Sequence, residues 1–423
     1  MGKVNVQKRG KVYQYQFEIA PVDGKRKFKN KSGFKTRAEA EKEGIKAYTE
    51  YMNTGHAFTP SEMSYSDYLD YWMKEHCEVN LKYHTIEAYK SIIRIHVKPK
   101  IGHYRLRQIT TATLQEFINK VYLDGSYSKN FLKNILKVLK TSFGYATDVV
   151  GFIKINPALK VKLPRYDIPN SDPAHIFTKE EIEKILNRFT NNHCAYYAFL
   201  TAYYTGLRVS EVFGLTWDDI DFESKTLRVN KNVLKKNQAG ATHGRHISGK
   251  ATTMWYFGTC KTPSSYRTID IGDTLVAALR EYKKEQEKYK EEYGDMYMKH
   301  YAKEVINPYN KKKEIKIINA YAELDIALPE VHFVFVKNNG IYEGTDTVKY
   351  PFKVIHYELG IPCRFHDFRD THATRLIEAG ADIKAVSKRL GHSTIETTYN
   401  IYVRVTTKME AEIVTKFENY ATT

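Results

Sequence analysis

Eight residues near the N-terminus, VYQYQFEI (12–19), alternate polar and apolar side chains without a break, whereas from residue 65 apolar residues recur every three or four positions. Side chains change face at every residue of a strand and return every 3.6 residues on a helix. A chain with both periods in separate blocks must therefore build separate units. In the first block Tyr13, Tyr15, Phe17 and Ile19 face one way, and Val12, Gln14, Gln16 and Glu18 the other, as in a half-buried strand. The turn PVDG and a second strand, KRKFKNKSGF, follow. Thr36 and Glu39 form a capping-box signature for a helix whose Ala40, Ile45, Tyr48 and Met52 are expected inward. A three-stranded sheet with one helix is the expected result.

The 423 residues exceed what one core comfortably holds, so several domains are expected. The formal net charge is +17, and residues 1–37 hold eleven Lys/Arg against two acids. Charge that is clustered in this way points to a polyanion, nucleic acid before membrane. TGHAFTPSE reads as a linker, and residues 62–163 as all-helical. Tyr65, Tyr68, Leu69 and Trp72 form one stripe and Ile86, Tyr89, Ile93 and Val97 another, with Pro99 and Gly102 expected to break the chain. Lys90, Arg94, Lys98, Lys100, Arg105 and Arg107 are candidate phosphate contacts.

LPRYDIPNSDPAH marks the next boundary, and Thr178 and Glu181 open a third block with another capping box. That block turns from helix to strand at 225–234 and 266–271. Between them lies a long insertion, too long for a plain loop unless functional or itself a hairpin. KEQEKYKEEYGDMYMKHYAKE (284–304) reads as one charged, exposed helix, and the chain beyond as a return to helix. Cys77, Cys194, Cys260 and Cys363 lie far apart, without metal-site or disulfide spacing, and suit a reducing cytoplasm. No stretch approaches the length a membrane span needs.

The third block lacks a GxxxxGKS loop, an HExxH pair and any set of acids spaced to hold magnesium, which disfavours a metal-dependent nuclease or polymerase. It offers instead Arg208 in TGLRVSEVFGLTW, Lys261 in CKTPSSYRTIDI, His366 and Arg369 one helical turn apart in HDFRDTHATRL, and His392 after a glycine in KRLGHST. Two arginines fork onto phosphate oxygens and hold the extra charge of a five-coordinate transition state. A tyrosine beside them can attack phosphorus, a histidine can accept its proton, and a lysine can protonate the leaving oxygen. Tyr399 and Tyr402 are three apart, so spacing alone does not choose the nucleophile.

These motifs resemble those of the tyrosine recombinases, the phage-integrase family, and look most like the integrases of Gram-positive conjugative transposons. The resemblance covers nearly the whole chain. It implies a multidomain, mainly α protein with small β-sheets: an N-terminal arm domain of three strands plus a helix, a helical SAM-like core-binding domain, and a mixed α/β catalytic domain. The expected boundaries are 1–56 for the arm-type DNA-binding domain, 57–165 for the core-binding domain, 166–176 for a linker and 177–405 for the catalytic domain. Residues 406–423, with Met409, Ile413, Phe417 and Tyr420 on one stripe, would form a C-terminal helix exchanged between subunits.

Carried over, the resemblance implies that Arg208 and Arg369 grip the scissile phosphate. Lys261 would be the general acid, His366 would assist proton transfer, His392 would bond the phosphate, and Glu211 would support the site. The T-T-x-x-x-Y pattern puts Tyr402 in the reactive position; Lys250 is a rival general acid that lacks the T-x-x-S-x-R context of Lys261. Expected DNA contacts are Lys25, Arg26, Lys27, Lys29, Lys90, Arg94, Lys98, Lys235, Lys236 and Arg245. The implied partners are double-stranded arm- and core-type attachment sites, further copies of the chain up to a synaptic tetramer, and an accessory excision factor. No membrane, metal, ATP or other cofactor is expected, and the setting is the bacterial cytoplasm. The implied activity is cutting and rejoining strands through a 3′-phosphotyrosine, integrating and excising a mobile element. A type IB topoisomerase shares the constellation, but the basic arm and the apolar C-terminal helix argue against it.

Overall fold

The computed structural model describes residues 4–22, 25–54, 63–165, 174–237, 253–260, 262–403 and residue 418. The chain divides into two compact units, 1–170 and 171–423.

The first unit begins with the antiparallel sheet β1 (Asn5–Arg9), β2 (Val12–Val22) and β3 (Lys25–Phe34), followed by α1 (Arg37–Thr54). Tyr15 and Phe17 are buried on the face that α1 covers, as the alternation predicts. The helix stripe holds at Ala40, buried, and at Tyr48, which packs edge-on against Phe17, and fails at one position. Ile45 is 52% exposed, and the inward place beside Ala40 and Ala47 falls to Gly44. A Cβ at Gly44 would stand 2.6 Å from Val4 Cγ1 and 2.8 Å from Tyr15 Cβ, so the bare backbone lets the helix close onto the strands. The side chain of Met52 lies outside the described residues.

Six helices follow: α2 (Tyr65–Trp72), α3 (Glu78–Asn80), α4 (Tyr83–Ile92), α5 (Lys98–Ile101), α6 (Thr111–Leu123) and α7 (Lys129–Gly144). Wide π-helical turns lie at Met73–Cys77, Ile93–Val97 and Tyr145–Val149. The Tyr65 stripe is fully buried. The Tyr65 hydroxyl lies 2.9 Å from Ser142 Oγ, and the Tyr68 hydroxyl donates to the Ser142 carbonyl at 2.5 Å, so both buried phenols have partners on α7. Pro99 does not break the chain. It sits at the start of α5 directly after the wide turn at Ile93–Val97, where a proline's missing N–H and ring are absorbed, and the helix ends at Gly102.

The second unit contains α8 (Lys179–Arg188), α9 (His193–Thr205), α10 (Val209–Val212), β4 (Ile220–Asp221), β5 (Thr226–Val229), β6 (Asn232–Asn237), β7 (Thr253–Gly258), β8 (Arg267–Asp270), α11 (Asp273–Tyr293), β9 (Met298–Ile306), β10 (Lys313–Tyr321), α12 (Lys349–Tyr357), α13 (Phe365–Glu378), α14 (Ile383–Leu390) and α15 (Ile395–Val403). Thr178 and Glu181 make the predicted capping box at α8. In its main core Phe199 stacks on Phe368, Tyr197 on Tyr282, and Phe177 packs on Phe368, while Ala373, Val386 and Leu390 form a second, smaller cluster. Burying each large ring contributes about 1.5–3 kcal/mol.

Two sheets serve this unit, a small one in the order β4-β5-β8 and a larger one in the order β6-β7-β10-β9. The insertion is a hairpin, with Asn232 opposite Gly258 and Asn237 opposite Thr253. The expected helix over 284–304 is corrected. Gly294, at φ +49, ends α11, and Met298–Ile306 is a strand paired residue for residue with Lys313–Tyr321. Its partner decides this, because Tyr301 alone in the charged MKHYAKE stretch favours a strand. Among the described residues no helix is long and apolar enough to cross a membrane.

Candidate active site

The site grows from two left-handed glycines. Gly206, at φ +65, ends α9, and a Cβ there would stand 2.6 Å from Leu390 Cδ2 and 2.9 Å from His372 Cδ2. Only glycine allows both the backbone turn and that approach. Two residues on, Arg208 is the N-cap of α10. Its amide donates to Glu211 Oε2 at 3.1 Å and its Nη1 to Oε1 at 2.7 Å. Gly391, at φ +70, ends α14 in a paired closure: its amide bonds the Lys388 carbonyl at 3.0 Å and the His392 amide bonds Ser387 at 3.1 Å. His392 is thereby fixed, and its Nδ1 lies 2.8 Å from the Oγ1 of buried Thr398 on α15.

Arg369 joins these two turns. It is wholly buried on α13, with Nη1 donating to the Gly206 carbonyl at 2.8 Å and Nη2 to the Leu390 carbonyl at 2.6 Å. Its buried Nε has no hydrogen-bond partner within the chain. His366 lies one turn earlier on the same helix, half-exposed, with Nε2 3.7 Å from Asp370 Oδ1.

The electrostatics bind the four into one place. Burial, then Arg369 and Arg208, push His366 down to about 4. Burial and the same two arginines push His392 down to about 3. Burial, then Arg208, lowers Arg369 to about 9. Burial works to raise the Glu211 carboxyl, but Arg267 and Arg208 outweigh it and hold it below its usual range. The result is a cluster in which the two imidazoles are neutral and the buried Glu211 carboxylate is held ionised between arginines. Such a cluster suits an anion.

Arg208, His366, Arg369 and His392 thus converge from three separated segments. Lys261 lies outside the described residues, between the β7 and β8 strands. Tyr402 is on α15, one turn beyond Thr398; its side chain lies outside the described residues. Tyr399 is 53% exposed.

The expected DNA contacts divide. Lys25, Arg26, Lys27 and Lys29 are all on β3; Lys29 is half-buried, and the side chains of the other three lie outside the described residues, as does Arg245. Arg94 is exposed. The others are engaged in ion pairs within the chain. Lys90 pairs with Glu78 at 2.8 Å and Lys98 with Asp70 at 2.6 Å. Lys235 pairs with Asp346 at 2.5 Å beneath the Trp255 ring, and Lys236 with Glu314 at 2.6 Å over Tyr256.

Sequence reasoning passed over Arg267, which bonds Glu211, and Arg389, whose Nε donates to His372 Nε2 at 3.1 Å. The arginine of S-x-R was visible only as context for Lys261. Among the described residues no group of three or more His, Cys, Asp or Glu is placed to hold a metal ion.

Residues 175–409 match the Phage integrase family, residues 64–122 the phage integrase N-terminal SAM-like domain, and residues 5–47 the Arm DNA-binding domain. A tyrosine recombinase XerC-like protein of Caldanaerobacter subterraneus subsp. tengcongensis is 30% identical over 426 residues, covering 97% of each chain. The ICEBs1 integrase of Bacillus subtilis is 24% identical over 412 residues, 96% of this chain and 97% of its own. A solved structure of the Tn1549 transposon integrase in complex with a circular intermediate DNA superposes with a TM-score of 0.60 at 21% identity, over 84% of this chain and 99% of that one.

The chain belongs to the phage integrase family. It is a tyrosine-type site-specific recombinase, a DNA strand transferase of the integrase kind.

Proposed function

We propose that this recombinase breaks each strand through Tyr402 and conserves the broken bond as a 3′-phosphotyrosine. The observation that carries this reading is the convergence of Arg208, Arg369, His366 and His392 around the Gly206 and Gly391 turns. Arg208 and Arg369 hold the non-bridging oxygens of the scissile phosphate. His366 takes the phenolic proton as the Tyr402 oxygen attacks phosphorus. The bond from phosphorus to the 5′-oxygen breaks, and Lys261 supplies the proton that leaves a free 5′-hydroxyl. His392, backed by Thr398, bonds the phosphate as negative charge builds on it. Religation reverses these steps with a different 5′-hydroxyl, so the ester's energy is conserved and neither ATP nor metal is consumed.

Around this chemistry, residues 1–56 engage arm-type sites and 57–165 core-type sites, with 166–176 linking them to the catalytic domain at 177–405. Segment 406–423 docks on a neighbouring copy within a tetramer that joins two duplexes. The protein acts in the bacterial cytoplasm, integrating and excising a mobile element. A nicked suicide duplex incubated with the full-length protein in EDTA should trap a covalent adduct with wild type and none with Tyr402→Phe, while Tyr399→Phe should still form it. An adduct that survives Tyr402→Phe and disappears with Tyr399→Phe assigns the nucleophile to the other tyrosine.

A further inference from the structure

Arg267 opens β8 with its side chain only 6% exposed and every arm engaged. Nη2 donates to Glu211 Oε2 at 3.1 Å, Nε to the Arg389 carbonyl at 2.7 Å and Nη1 to the Ser265 carbonyl at 3.0 Å. One guanidinium therefore ties together three places: the carboxylate that holds Arg208, the end of α14 just before His392, and the turn that leads from Lys261 into β8. The packing is equally close. A Cβ at Gly391 would stand 2.8 Å from the Ser264 carbonyl, 3.2 Å from Ser265 Cα and 3.3 Å from Arg267 Cδ.

Charge gives the arrangement a purpose. Glu211 is 3% exposed and bonds Arg208 directly, so by itself it would cancel the charge that Arg208 presents. A buried ion pair of that kind has little net field to offer a phosphate. With Arg267 on the other carboxylate oxygen, the Arg208–Glu211–Arg267 chain has two cations to one anion and stays positive. We propose that Arg267 is a positioning and charge-balancing residue for strand cleavage: it occupies Glu211, so that Arg208 keeps a positive charge toward the scissile phosphate, and it fixes the turn that carries His392. This rests on the assignment of Arg208 to the phosphate made above.

The test is single-turnover cleavage of a suicide duplex by the full-length protein, with either a phosphate or an uncharged methylphosphonate at the scissile position. Arg267→Gln should slow cleavage of the phosphate about 100-fold, as loss of one preorganised charge in a dry site does. Arg267→Lys, which keeps the charge without the three bonds, should recover part of the rate. The Arg267→Gln/Glu211→Gln double variant should cleave faster than Arg267→Gln alone, because the uncompensated anion is gone. On the methylphosphonate, which has less negative charge to stabilise, the Arg267→Gln defect should shrink at least about tenfold. Gel shift and thermal melting report whether each variant folds and binds. An Arg267→Gln rate within about threefold of wild type overturns the proposal, since such a factor is worth less than 1 kcal/mol. So does an equal defect on both linkages with no rescue by Glu211→Gln, the pattern of a merely structural residue. If Arg208→Ala cleaves like wild type, the phosphate assignment itself falls; if Arg208→Ala is inactive and Arg267→Gln is not, only the role given to Arg267 falls.

Discussion

At the scale of single residues, His366 is a base that its own surroundings suppress. Burial, with Arg369 and Arg208 behind it, holds the imidazole down to about 4, so without DNA it is neutral at physiological pH and a feeble proton acceptor. Docking a phosphodiester between those arginines adds a negative charge close to the same ring. That charge opposes what Arg369 and Arg208 contribute to the depression, and an opposite charge within a few ångströms moves a pKa by about 1–3 units. The sign is upward. DNA also excludes water, which pushes the other way, but an adjacent full charge outweighs the extra burial of a ring that is still half-exposed. The His366 pKa in Tyr402→Phe protein, followed by NMR titration, should therefore rise by at least about one unit when a core-site duplex is added. A value that stays put or falls would mean that the ring does not face the bound phosphate.

At the scale of elements, α1 shows how a helix and its face can be right and one position on it wrong: Ala40 and Tyr48 face the sheet as expected and Ile45 does not. Its buried stripe runs Ala40, Gly44, Ala47, and the large apolar residue of the region, Ile45, points out. Gly44→Val should weaken the arm domain by about 1–3 kcal/mol, since the new side chain meets Val4 and the base of the Tyr15 ring, neither of which swings away cheaply. Faster proteolysis of the arm and weaker arm-site binding, with core-site cleavage unchanged, would report it; a resistant, fully binding variant would show that α1 can lift off the sheet without cost. The same contrast separates what was legible in the sequence from what was not. Arg208, His366, Arg369 and His392 were legible because each sits in a short local pattern next to a helix cap, and the Tyr65 stripe because its period needs no partner. Ile45 was misread because apolarity says which residues can be buried and not which backbone must approach closely. The β9–β10 pair was hidden because its register is a property of two strands together. Arg267 was hidden for the same reason, as its three acceptors lie on Glu211, Ser265 and Arg389.

At the scale of the whole molecule, the net charge of +17 is unevenly spent. In the helical part of the first unit, Lys90 and Lys98 are each matched to a carboxylate, and in the second unit Lys235 and Lys236 are held the same way. The first 37 residues have eleven cations and two acids, so few of their cations have a carboxylate in the same segment to pair with. A cation that is already paired releases fewer counterions on meeting a phosphate than one facing solvent, so the arm should dominate the salt dependence of arm-site binding. Each phosphate neutralised contributes about −0.9 to the slope of log K against log salt. Replacing Lys25, Lys27 and Lys29 on β3 with glutamine in the full-length protein should therefore flatten that slope by about 2–3 on arm-type duplex, while the slope on core-type duplex hardly moves. Filter-binding or anisotropy titrations across a salt series measure both. An unchanged arm slope would place the arm's phosphate contacts on other lysines of the segment. Equal flattening on both duplexes would mean that this charge acts as a general attraction to DNA, with no division of labour between the domains.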